Sequence, residues 1–254
     1  MSEHVRSTIT DGVLTLRLDR PEKKNALTGA MYGALRGGLR QATADDSVRV
    51  VLLAGGTDFT AGNDINDFAG DAAAGEGAPR TSAAFDFLEE LAAMPKPVVA
   101  AVRGFAIGIG TTMLLHCDAS VAALDARLQM PFTRLGIVPE AGSSLALADF
   151  VGRARASWLL LSGEALDGAA AEAAGLVTRA VPDDQVEPTA AAMAMALAAL
   201  PPGAVAETKR LIREPHRAAL AEAMQRERAA FAARLRTAEA QAIFAAFLAK
   251  SKGK

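Results

Sequence analysis

The sequence predicts an α/β core followed by a region built of helices alone. Strand-like segments at 13–18, 48–53, 98–102 and 119–123 alternate with segments of helical period through the first half of the chain. From about residue 143 onward the period is helical only. A chain of 254 residues with 51% apolar and 22% charged residues has globular composition and can bury a substantial core without disulfides. The organisation expected is a core domain at 1–195 and a C-terminal helical region at 196–254.

The elements follow in order. Asp11-Gly12 is a hairpin turn signal, and Val13–Leu18 alternates after it as a strand ended by Pro21. Thr28 caps a helix reaching about residue 43. Residues 48–53 form a buried strand closed by Gly55-Gly56, and 57–77 read as a loop rich in Gly, Asp and Ala. A helix at about 81–94 is stopped by Pro95-Lys96-Pro97. Val98–Val102 is a second buried strand, 104–110 a glycine-bearing turn, 111–116 helical, and Ala119–Ala123 strand again. In the C-terminal part Asp167 caps one helix, Asp183 opens another that ends before Pro201-Pro202-Gly203, and 205–212 and 218–248 have helical period with alternating charge.

Composition narrows the function classes. The formal net charge of −2 gives no positive field for nucleic acid or an anionic membrane. The start, Met1-Ser2-Glu3-His4, has no apolar run of a signal peptide, and Arg103 and three glycines interrupt the most apolar stretch, so no membrane span is expected. The single cysteine, Cys117, excludes an internal disulfide and suits a reducing, cytoplasmic setting. The histidines His4, His116 and His216 lack metal spacing, so no metal is expected.

Two loops are built for backbone exposure. Phe59-Thr60-Ala61-Gly62-Asn63-Asp64-Ile65 follows one buried strand, and Gly104-Phe105-Ala106-Ile107-Gly108-Ile109-Gly110-Thr111 follows the next. Small residues let a ligand approach the main chain, and one N–H from each loop can meet on one oxygen. A helix starting near Gly108 adds positive potential. On spacing alone both loops read first as tight strand-to-helix connections. The second is neither a dinucleotide-binding fingerprint, for want of a third glycine, nor a P-loop, for want of Lys-Ser or Lys-Thr.

With their flanks these loops resemble the enoyl-CoA hydratase/isomerase (crotonase) superfamily. The resemblance begins at Leu18-Asp19-Arg20-Pro21-Glu22-Lys23-Lys24-Asn25-Ala26-Leu27 and runs through Ala61-Gly62-Asn63-Asp64-Ile65, Pro95-Lys96-Pro97, Gly104-Phe105-Ala106-Ile107-Gly108 and Cys117-Asp118 to Glu172-Ala173-Ala174-Gly175-Leu176-Val177. It implies a crotonase (ClpP-like) superhelix of ββα units with a C-terminal helical region that drives trimerisation, hence a homotrimer or dimer of trimers. It implies an acyl-CoA thioester as substrate, with coenzyme A part of that substrate and no separate cofactor. By motif position it assigns an oxyanion hole to the N–H groups of Ala61 and Ile109, where the family usually has glycine at the second position. It also suggests coenzyme A contacts at Lys23, Lys24, Ala26, Gly62, Asn63, Asp64 and Ile65, and at Phe247 and Lys250 from a neighbouring subunit. Asp64 reads equally as a turn residue, the lysines as ordinary surface charges, and Phe247 and Lys250 as part of an amphipathic helix with a basic tail.

The resemblance also bears on the chemistry. The family's hydratases use two glutamates to handle water, and the matching positions here are Thr112 and Phe132, neither of which can serve as a carboxylate. One carboxylate remains, in Leu135-Gly136-Ile137-Val138-Pro139-Glu140-Ala141-Gly142-Ser143-Ser144, a segment similar to that of Δ3,Δ2-enoyl-CoA isomerases, whose single catalytic glutamate matches Glu140. Read without the family, Glu140 is a first-turn acid at a helix N-terminus. Read with it, Glu140 is the base of an enoyl-CoA isomerase. The alternatives are a hydratase or another acyl-CoA reaction such as thioester hydrolysis, or a non-catalytic acyl-CoA-binding homologue.

Overall fold

The computed structural model describes residues 2–64 and 82–251, with the backbone alone at 82, 247, 248, 250 and 251. The hairpin β1 (Val5–Thr10) and β2 (Val13–Leu18) turns at Asp11-Gly12, both with positive φ. From β2 the sheet continues in parallel through β3 (Val50–Ala54), β4 (Val98–Val102), β6 (Ala119–Ala123) and β9 (Arg179–Val181), giving six strands in the order β1-β2-β3-β4-β6-β9. Val-Val-Leu-Leu-Ala and Val-Val-Ala-Ala-Val are buried along their whole length, as parallel strands covered on both faces require. A second, three-stranded sheet of β5 (Phe105–Ile107), β7 (Arg127–Gln129) and β8 (Ala165–Leu166) lies beyond the first.

Helix α1 (Gly29–Ala44) starts where expected, the Thr28 side chain accepting the Met31 N–H. It packs against α2 (Ser82–Ala92). The segment expected as one helix at 111–116 is two pieces, α3 (Ile109–Thr112) and a 3₁₀ turn at Met113–His116. After them come α4 (Ser143–Val151), α5 (Arg153–Ser162), α6 (Gly168–Ala173) capped by Asp167, and α7 (Val186–Ala198). Helix α7 runs across residue 195 and lies on β3, β4 and β6, so the chain breaks at Leu200-Pro201, after α7.

The C-terminal helices correct the sequence reading. Instead of helices at 205–212 and 218–248, one helix of 34 residues, α8 (Pro202–Leu235), passes through Pro215, and α9 (Ala238–Ser251) follows. Proline removes a bond to the carbonyl four residues back, here that of Leu211, but Leu211 is exposed and water can take the acceptor. The true break is at Thr237, whose hydroxyl accepts the Ala240 N–H at 3.3 Å. Among the described residues no single helix is long and apolar enough to cross a membrane, and no group of His, Cys, Asp and Glu is placed to hold a metal.

Candidate active site

The site stands on the two loops that follow β3 and β4. The first is fastened to residues 20–27. Thr60 Oγ1 donates to the Asn25 carbonyl at 2.6 Å, the Asn25 side-chain amide donates to the Asp58 carbonyl at 2.7 Å, and Leu27 N–H donates to the Gly62 carbonyl at 2.8 Å. The second loop lies against the first through Thr60 and Ala106, and a Cβ on Gly62 would stand 2.8 Å from the Ile107 carbonyl oxygen. With φ at +93°, Gly62 needs to be glycine on both counts.

The backbone donors of these loops are mostly spoken for. Ala61 N–H donates to the Lys24 carbonyl at 2.8 Å, so the donor expected there is engaged in the fold and is not available to a ligand. Gly62 N–H donates to Thr60 Oγ1 at 3.1 Å, and Asp64 N–H to the Leu27 carbonyl at 2.8 Å. Among 61–64 this leaves the N–H of Asn63 without a partner among the described residues. The correction has a simple cause: 62–64 pair as a strand edge with Leu27, and the N–H between two paired positions points the other way. In the second loop Ile107 N–H goes to the Thr60 carbonyl and Gly108 N–H to the Gln129 carbonyl, while that of Ile109, first residue of α3, is unengaged among the described residues. Gly108 takes the positive φ, +57°, so isoleucine at 109 sits in helical backbone without strain, its side chain buried. Because α3 is a single turn, the bare N–H groups carry the positive potential, not a long dipole.

Glu140 faces this arrangement. It is 4% exposed and lines a small cavity with Asn63, Ala84, Phe85 and Phe231. Its Oε1 accepts the Thr112 hydroxyl at 2.5 Å, and its Oε2 has no hydrogen-bond partner among the described residues. Burial pushes its pKa from the usual 4.5 up to about 8; the Thr112 hydrogen bond pulls it down, and the nearby Glu227 pushes it up. The turn carrying it is fixed from several sides. Ala141 and Gly142 both have left-handed φ, +64° and +69°. Ser143 Oγ donates to the Glu140 carbonyl at 2.6 Å, and the His116 Nε2–H donates to the Ala141 carbonyl at 2.9 Å. His116 is buried and its pKa falls to about 4, so the ring is neutral, as a core histidine is.

The remaining candidates scatter around this centre. Tyr32, buried, donates its hydroxyl to Asn63 Oδ1. Asp64 is 7% exposed and its carboxylate pairs with Arg20 at 2.6 Å, so it acts as a brace between the loop and 20–27. Lys23 and Lys24 are exposed, and the Lys24 ammonium stands 4.0 Å from the centre of the Phe105 ring. The carbonyl of half-buried Ala26 accepts Arg20 at 2.9 Å. Phe132 is buried beside Gly108. Arg134 donates to the Ser162 carbonyl at 2.7 Å and so belongs to the α5 end of the fold. Ile65 and the side chains of Phe247 and Lys250 lie outside the described residues. Sequence reasoning misses Thr112 and Glu227 as site residues. Thr112 reads there only as an absent acid, and Glu227 is far from Glu140 in the chain with no motif around it.

Residues 8–254 match the enoyl-CoA hydratase/isomerase family. The chain is 37% identical to the 1,2-epoxyphenylacetyl-CoA isomerase of Escherichia coli over 79% of its length and 78% of the relative's. It is 35% identical to enoyl-CoA delta isomerase 2 of Rattus norvegicus over 84% of its length and 55% of that protein's. It is also 35% identical to the 2,3-dehydroadipyl-CoA hydratase of Escherichia coli over 94% and 92% of the two chains. The structure of OdaA from Pseudomonas aeruginosa superposes with a TM-score of 0.91 at 45% identity, covering 97% of this chain and 99% of that one.

Proposed function

The chain belongs to the enoyl-CoA hydratase/isomerase family, and on that premise we propose that it is a Δ3,Δ2-enoyl-CoA isomerase that works with Glu140 as its one acid–base group. The observation that carries this reading is the pairing of one buried carboxylate, half of it unpartnered, with Thr112 and Phe132 at the positions where a hydratase holds its acids. Water addition needs one group to activate water and another to protonate the enolate carbon. A shift of a double bond needs one group used twice.

In the proposed reaction the thioester carbonyl oxygen of a 3-enoyl-CoA accepts the N–H groups of Asn63 and Ile109. Ionised Glu140 takes a proton from C2, and the electron pair spreads into a dienolate whose charge rests on that oxygen. Glu140 then returns the proton at C4, giving the trans-2-enoyl-CoA with no net change in atoms. Each N–H donor of this kind is worth about 2.7–4 kcal/mol of barrier. A carboxyl with a pKa near 8 suits both proton transfers, being basic enough to take the C2 proton and acidic enough to return it.

The cavity at Glu140, about 10 Å³, has room for about one water molecule, so in this reading the acyl chain enters as the edge-to-face pair Phe85 and Phe231 parts. Coenzyme A binds along 23–26 and 62–64, and the assembly is a homotrimer or a dimer of trimers. The test offers the protein 3-enoyl-CoA and 2-enoyl-CoA, with Glu140→Gln beside it. Double-bond migration that the variant loses supports the reading. Hydration at comparable efficiency, indifferent to Glu140→Gln, rejects it.

A further inference from the structure

A second buried carboxylate stands behind the first. Glu227 lies on α8, is 6% exposed, and reaches the turn at 140–144 from outside it. One oxygen accepts the Gly142 N–H at 2.5 Å and the other the Ser144 N–H at 2.8 Å, so both oxygens are occupied by donors, the arrangement an anion takes at a helix N-terminus. Ala141 and Gly142 are both left-handed, and alanine holds that conformation only where its surroundings over-determine it. Without Glu227, Gly142 and Ser144 lose the partner that ties the turn to α8.

We propose that Glu227 is a positioning residue for Glu140: by gripping Gly142 and Ser144 it fixes the left-handed turn that aims the Glu140 carboxyl at the acyl pocket. This rests on the reading of Glu140 as the acid–base group. The charged or titratable groups at the turn are Glu140 itself, Glu227, Arg226 on the same helix, and neutral His116, which donates to the Ala141 carbonyl. Glu227 also adds negative charge near Glu140, which disfavours ionisation of the base.

The experiment compares full-length wild type, Glu227→Gln and Glu227→Asp for 3-enoyl-CoA isomerisation against pH. Alongside it, the Glu140 carboxyl is titrated by ¹³C NMR, assigned with Glu140→Gln. Glutamine keeps the length but sets an NH₂ against one of the two N–H groups. Expected is a loss in kcat on the order of tenfold to a hundredfold, since small misplacements of a reacting group cost that much. KM should stay within about twofold, and the acid limb should move to lower pH. Aspartate keeps the charge but not the reach, so it should lower kcat and leave the acid limb in place. A folded Glu227→Gln with unchanged kcat and acid limb overturns the proposal, and so does a loss of fold in both variants, which would make Glu227 a structural residue only. If Glu140→Gln keeps full migration, the reading of Glu140 fails instead. The NMR titration then decides the positioning role by itself: an unchanged Glu140 curve in Glu227→Gln overturns it.

Discussion

The two ends of the central sheet treat charge in opposite ways. At the entry of β4 and β6, both oxygens of Asp118 are engaged: one accepts Lys209 at 2.7 Å and the Val98 N–H at 2.8 Å, the other Arg213 at 2.8 Å. Lys209, 7% exposed, gives a further hydrogen to the Lys96 carbonyl at 2.7 Å. At the exit of β3 and β4, Glu140 has, among the described residues, a single hydroxyl partner, a bare second oxygen and no cation. On the proposed mechanism the difference is one of purpose. A carboxylate with donors on both oxygens and two cations beside it holds α8 to the sheet. One left half unanswered in an apolar pocket destabilises its own charged form, which is what a proton carrier needs.

Exchanging the roles tests the comparison. The largest effect is expected from Glu140→Gln: double-bond migration should fall by roughly 10²–10⁴-fold. Stability should move the other way. Because the folded pKa of Glu140 lies above its usual 4.5, wild type loses stability as pH rises from 4.5 towards about 8 while the neutral glutamine does not. Chemical denaturation at pH 5 and pH 8 should therefore show a gap between the two proteins that opens in favour of the variant. Asp118→Asn strips Lys209 of its counter-charge and should cost about 3 kcal/mol of stability with kcat of the surviving folded protein unchanged. Loss of kcat without loss of stability would erase the contrast between the two ends.

Smaller changes sharpen it. Gly62→Ala forces a side chain into left-handed backbone 2.8 Å from the Ile107 carbonyl oxygen, and about 1–3 kcal/mol of strain should appear as lower stability together with lower kcat as Asn63 is displaced. Thr112→Val removes the one hydrogen bond that favours ionised Glu140, so the pKa should climb further. Activity near pH 7 should drop about tenfold or more, the worth of a hydrogen bond to a charged group, and recover as pH rises. A Thr112→Val profile shifted to lower pH would contradict the assignment.

Much of this fold is legible in the sequence, for physical reasons that differ by element. The parallel strand 98–102 is a continuous apolar run, and Thr28 and Asp167 each cap a helix with the oxygen of their own side chain, a local signal. Strands of two or three residues such as Ala165–Leu166 are too short to show a period and escape detection. Pro215 reads as a break because sequence does not say which carbonyls face water. Glu140 is found through its motif, whereas its fastening by His116 and Glu227 joins residues with no sequence signal between them. Motif position puts the first-loop donor at Ala61; the Ala61 N–H is engaged with the Lys24 carbonyl, and the pairing of 62–64 with Leu27, a contact across the fold, leaves the N–H of Asn63 unengaged among the described residues.

The most direct measurement is kcat/KM for 3-enoyl-CoA isomerisation from pH 6 to pH 10 in wild type and Glu140→Gln. The base acts ionised, so wild-type activity should rise with pH and level off through an apparent pKa of about 8, and the variant should stay low and flat across the range. A wild-type profile that does not change between pH 6 and pH 10, or a variant that follows the wild-type curve, would contradict Glu140 as the proton carrier.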